Sequence, residues 1–244
     1  MSQTTMSLRA LVPKPLWHVA FEHVDDDHVA RRRRRVVSTT SLLGAGLLGA
    51  GLSAKPGSRA FYALTLGVAA TWTAGGMRSG PLHLGWIQMS DDSVRRPVLT
   101  PVATGVAAFG AFYGCALVAR EIPVLERAIG RVLSYADQGD DRLVALTTFA
   151  NGLGEEVFFR GALYSALPAE HAVAGSTAVY ALATTTTRNP ALVLAATAMG
   201  TLFGLQRRAT GGLQAPVLTH LTWSALMLRY LPPLFRRAVA PKRA

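Results

Sequence analysis

Two glutamates stand side by side in the run Gly154-Glu155-Glu156-Val157-Phe158-Phe159-Arg160-Gly161, with an arginine four positions after the second. The surrounding stretch from Leu143 to Leu167 is otherwise apolar, and the ~20 residues that a bilayer-crossing helix needs are present. Isolated ions at a membrane centre are costly, so charged groups in such a place point to chemistry and to partners inside a bundle. On a helix turning about 100° per residue, Glu156 and Arg160 share a face and can pair. Glu155 points elsewhere and stays available as a general base. The plainer reading of the same three residues is a packing salt bridge. A second polar cluster, Thr219-His220-Leu221-Thr222-Trp223-Ser224, lies early in the last apolar segment. His220 and Ser224 share a helical face there. An imidazole at that place serves either as a partner for the glutamate or as a hydrogen-bonded structural group.

The elements that must position these groups can be read from the distribution of charge. Only 16% of the 244 residues are charged and half are hydrophobic, against about 25% charged in soluble domains. Charges crowd into the gaps between apolar runs, which is the pattern of an all-α, polytopic transmembrane helical bundle. The net charge of +11 sits at the flanks of those runs without interleaved aromatic residues, so it argues for membrane orientation and against nucleic acid. Residues 1–35 read as a basic cytoplasmic extension, 36–232 as the bundle and 233–244 as a basic tail. Arg31, Arg32, Arg33, Arg34 and Arg35 precede the first apolar run, where the positive-inside rule keeps them in the cytoplasm and anionic lipid attracts them. No secretory signal peptide is visible, because the first hydrophobic run follows the arginines. The location implied is a multi-pass plasma membrane, bacterial, with the N-terminus inside.

Seven apolar segments are expected: 36–54, 60–77, 97–119, 143–167, 172–187, 191–205 and 213–231. Residues 120–142 have helical spacing of Ile122, Leu125, Ile129, Val132 and Leu133, and predict an amphipathic helix on the membrane surface. Gly46 and Ala50 stand in a small-xxx-small relation that suits close helix packing. Cys115 reads as a small buried residue, His83 as interfacial, and His23 and His28 as part of a solvated segment with Phe21 rather than a metal site. Seven crossings would place Arg236, Arg237, Lys242 and Arg243 outside; an even number would keep them inside.

Glu155-Glu156-Val157-Phe158-Phe159-Arg160-Gly161 matches the EExxxRG motif of the CAAX protease and bacteriocin-processing family of intramembrane proteases, which resemble the type II CAAX prenyl endopeptidase. Gly211-Gly212-Leu213-Gln214-Ala215-Pro216-Val217-Leu218-Thr219-His220 resembles the approach to the family's last histidine motif. The resemblance covers about 140–231. It implies about seven to eight membrane segments around an internal polar cavity, and an endopeptidase acting on a peptide or membrane-protein substrate. By the same resemblance, Glu155 activates water, Glu156 and Arg160 shape the site, and His220 assists. Two positions depart from the pattern. Thr184, four after Tyr180, stands where the family has its other histidine, and His171 is too far along the segment to replace it. Ser224 stands where the family has an asparagine that helps hold the oxyanion. A divalent metal such as zinc would be left with Glu155 and His220, below the three protein ligands usual in catalytic zinc sites. The alternative is a catalytically reduced member that acts as a membrane binding or scaffold protein.

Overall fold

The structure is a computed structural model that describes residues 8–20 and 23–236. Phe21 and the tail residues Arg237, Lys242 and Arg243 lie outside the described residues. Helices dominate: α1 (Asp27–Gly51), α2 (Arg59–Ser79), α3 (Leu99–Ala119), α4 (Pro123–Asp137), α5 (Asp141–Glu155), a π-helical segment (Glu156–Leu163), α6 (Tyr164–Ala166), α7 (Ala172–Thr185), α8 (Pro190–Thr210) and α9 (Gln214–Arg236). The loop after α2 holds an unforeseen two-stranded antiparallel hairpin, β1 (Ile87–Gln88) with β2 (Val94–Arg95).

Local chemistry accounts for the boundaries. Asp26, Ser58, Asp140 and Asn189 each cap a helix start by accepting a backbone N–H with the side chain. Pro123 and Pro190 open α4 and α8 where no N–H is needed. Gly211 ends α8 with φ of 68°, a left-handed conformation that glycine adopts without penalty. The Asp26 cap begins α1 nine residues before the apolar run at Val36, so the five arginines are helical. Four of them are exposed and Arg33 is buried, bonded to both carboxylate oxygens of Asp25, to Ser79 and to the Pro81 carbonyl. Likewise α8 continues through Gln206 and Arg207, which are buried rather than part of a separating loop.

The bundle has two distinct ends. At one, the start of α1 meets the end of α2 through Arg33 and Ser79, Trp86 bonds the Thr210 carbonyl, and Gln214 bonds the Pro97 carbonyl. At the other, α4 lies across the helix ends as a strap. Tyr135 donates to the carbonyls of Leu52 and Ala54, Asn189 donates to Ala128, and Arg236 pairs with Asp137. The described chain therefore starts at one end and finishes at the other. Close packing joins α1 to α2, α7 to α8 and α3 to α9.

The core holds Trp72, Phe158, Phe159, Val68 and Leu163. Gly44 makes room for the Trp72 ring and Gly49 for Thr186, whereas a Cβ on Gly46 would meet nothing within 4 Å. The close-packing glycines are thus not the pair expected from spacing. Cys115 is exposed, because its face of α3 is left uncovered. Among the described residues, α3 alone is long and apolar enough to cross a membrane by length and composition. The other long helices mix glycine, alanine, threonine and arginine into their apolar runs.

Candidate active site

The helix that bears the glutamates changes pitch at them. After Glu155 the next eight residues wind as a π-helix, and the Tyr164 N–H reaches back to the Phe159 carbonyl. The expected single helix over 143–167 is therefore interrupted at the motif. Such wide turns are rare and occur mostly at functional sites. Neighbouring backbone crowds the turn: a Cβ on Gly154 would lie 2.8 Å from the Ala69 carbonyl, and one on Gly76 would lie 2.8 Å from that of Val157.

Four of the six side chains selected from sequence come together. Oε1 of Glu156 accepts from Nη1 of Arg160 at 3.2 Å and from Nδ1 of His220 at 2.8 Å, and all three side chains are buried. A carboxylate only accepts, so the imidazole proton belongs on Nδ1 and a neutral ring presents the Nε2 lone pair on its other side. That Nε2 lies 4.0 Å from Oε2 of Glu155. The ring stacks on Phe203 of α8 with centroids 4.8 Å apart, and Gly152 of α5 leaves space beside it.

Sequence reasoning left Glu155 free, yet the Tyr180 hydroxyl of α7 donates to its Oε2 at 2.5 Å. The signal was present, since Tyr180 was already the aromatic member of the second motif. Its hydroxyl was the overlooked part. Thr184 is buried, but its hydroxyl donates to the Tyr180 carbonyl one turn back at 2.8 Å. Ser224 is also buried and, among the described residues, makes no hydrogen bond with the glutamates.

The buried ions are held by an incomplete set of bonds. Glu156 Oε2 and the Nε and Nη2 atoms of Arg160 have no hydrogen-bond partner among the described residues. Instead, the guanidinium faces the rings of Tyr180 at 4.8 Å, Phe203 at 5.0 Å and Phe159 at 5.9 Å, where the ring quadrupole attracts a cation. Arg207 of α8 donates from Nε to the Arg160 carbonyl at 2.9 Å and so fastens the π turn from outside. Neither Phe203 nor Arg207 carried a motif that would have marked it.

A catalytic metal does not fit this donor set. Thr184 spends its hydroxyl on backbone, and Oε1 of Glu156 is taken by Arg160 and Nδ1 of His220. The free Oε2 of Glu156 belongs to no group of three ligating side chains placed to hold an ion among the described residues, and only Glu155 and Nε2 of His220 face one another. Two donors fall short of the three protein ligands of a catalytic zinc. Cavities of about 240 and 330 Å³ open at the two ends of the bundle, beside His83 and Trp86 and beside Leu133 and Phe235, and neither is lined by the glutamates.

Residues 142–226 match the family described as Type II CAAX prenyl endopeptidase Rce1-like. The resemblance drawn from the glutamate and histidine motifs is upheld over this stretch, which contains Glu155, Glu156, Arg160, Thr184, His220 and Ser224. The family is one of membrane-integral proteases. No curated protein matches the chain, and no solved structure does.

Proposed function

We propose that this chain is an intramembrane endopeptidase of the CAAX-protease type, cutting a peptide bond in a peptide or membrane-associated protein. The observation that carries this reading is the opposition of Glu155 to the Nε2 face of His220 across 4.0 Å, with Glu156 and Arg160 fixing the imidazole from behind. One water bonded to both groups can span such a gap. Glu155 takes a proton from that water as its oxygen bonds to the scissile carbonyl carbon. The resulting tetrahedral species collapses by breaking the C–N bond, and the proton passes to the leaving amine. His220 orients the water, and Glu156 holds the tautomer that makes this orientation available. The buried Ser224 hydroxyl, one turn beyond His220 on the same helical face, is the donor offered to the developing oxyanion.

In this reading the bundle crosses the plasma membrane several times with the N-terminus inside. The exposed Arg31, Arg32, Arg34 and Arg35 face anionic lipid, and α3 turns its uncovered apolar side to the acyl chains. A second reading has its own support: Tyr180 occupies an oxygen of Glu155 and no imidazole stands at Thr184. Those features suit a binding or scaffold protein that kept the family's fold without its chemistry.

Proteolysis in liposomes decides between them. The wild type is expected to cleave a membrane-anchored peptide, Glu155→Gln to lose at least about a thousandfold, and His220→Ala about a hundredfold or more. Undiminished cleavage by Glu155→Gln would overturn the mechanism. Failure of the wild type on prenylated, leader-peptide and other membrane-anchored substrates alike would favour the scaffold.

A further inference from the structure

Outside the glutamate site, three cation-forming side chains converge on a cavity of about 240 Å³ at the end of the bundle where α1 begins. His23 and His83 stack face to face with centroids 3.6 Å apart. Arg96 lies flat over the Trp86 ring at 3.8 Å, held there by donating from Nη1 to the Gly85 carbonyl. Thr210, at the last turn of α8, also lines it, and among the described residues no carboxylate does. Among the described residues, Arg96 has no acidic partner within ion-pairing distance. Arg207 adds its positive field to that of His83 at His23. The pre-oriented guanidinium offers an anion a fork of N–H donors, and the two imidazoles add ring N–H donors beside it.

We propose that this cavity binds a phosphate group, and that its source is the headgroup of an anionic phospholipid. The lipid source is favoured by exposed apolar side chains: Leu84 and Trp86 line the cavity, and Val98 and Leu99, two and three residues after Arg96, are exposed as well. Leu99 begins α3, the helix with the longest uncovered apolar face, so acyl chains have a surface to follow away from the headgroup. A tryptophan beside a cation at that level matches the composition of membrane–water interfaces. The site is separate from the peptidase reading and does not depend on it.

The test uses the full chain in neutral detergent, titrated with short-chain phosphatidylglycerol, with phosphatidylcholine and, in a separate arm, with inorganic phosphate. Saturable binding of phosphatidylglycerol is expected, weakened about tenfold or more by Arg96→Gln and by His83→Gln. Arg127→Gln and Arg131→Gln, exposed on α4 at the opposite end, should stay within about twofold of wild type. Arg96→Lys, which keeps the charge and loses the flat fork, should fall between and supplies the reading if Arg96→Gln does not fold. Saturable binding of inorganic phosphate with the same losses, and none of phospholipid, keeps the pocket but assigns it a soluble phosphate. Equal binding by wild type and folded Arg96→Gln, or no saturable binding of any probe, overturns the proposal.

Discussion

One oxygen of Glu156 receives both Arg160 and His220, which makes this carboxylate the hinge of the polar cluster rather than a spare base. Removing it would leave a guanidinium buried without an acid, a change that typically costs about 3–5 kcal/mol. Glu155 is the opposite case, mostly buried and, among the described residues, hydrogen-bonded through a phenol alone. Tyr180→Phe should therefore fold normally and lower kcat about tenfold with little change in KM, since one hydrogen bond that positions the base is lost. Steady-state kinetics in liposomes check this, and a loss confined to KM would assign Tyr180 to substrate contact. The pairing of Glu156 with Arg160 was legible in the sequence because four-residue spacing survives in the wide turn. The meeting with His220 was legible only through the motif resemblance, as 64 residues separate the partners. The Tyr180 contact depends on how α7 is rotated against α5, which no local pattern encodes.

At the scale of elements, glycine placement separates packing from mere flexibility. A Cβ on Gly44 would stand 2.2 Å from the Trp72 ring, while one on Gly46 meets nothing. Gly44→Ala should thus destabilise by about 1–3 kcal/mol through overpacking, and Gly46→Ala should be neutral or slightly stabilising. Thermal unfolding of both variants in detergent checks the contrast. The docked N-terminal segment offers a second test. Burial, then His83, then Arg207 hold the His23 pKa below its ordinary 6.5. A released segment would take up protons that the docked one resists, so docking is strongest above about pH 6.5 and weakens as pH falls below it. Hydrogen exchange of residues 12–20 and 23–26 should accordingly speed up, beyond the intrinsic pH effect, between about pH 7.5 and 5.5. Pattern reading located every long helix, but it set α1 too late and α8 too short. In both cases buried or capped polar residues, Asp26, Arg33, Gln206 and Arg207, extend the helix beyond its apolar run.

For the whole molecule, the strap helix α4 and the loop that holds β1 and β2 mark opposite ends, and the chain runs from one to the other. Reporter fusions before Asp27 and after Arg236 should then report opposite sides of a membrane, although cations flank both ends. Charge bias alone left this parity open; in the multi-pass reading it follows from which helix ends share contacts. α1 and α2 pack against α5 and one side of the π segment, and α7, α8 and α9 supply Tyr180, Phe203 and His220 from the other, with α3 laid against α9. The π turn between them contains, in effect, one residue more than an ordinary helix of the same height. Removing one residue would restore an ordinary helix of the same height, leaving the flanking turns in register but shifting Arg160 against Glu156 within the segment. The pairing of Glu156 with Arg160 behind the imidazole is therefore a matter of chain length as well as of side-chain identity. A single-codon deletion between Glu156 and Leu163 could dismantle the site while leaving each of its residues in place.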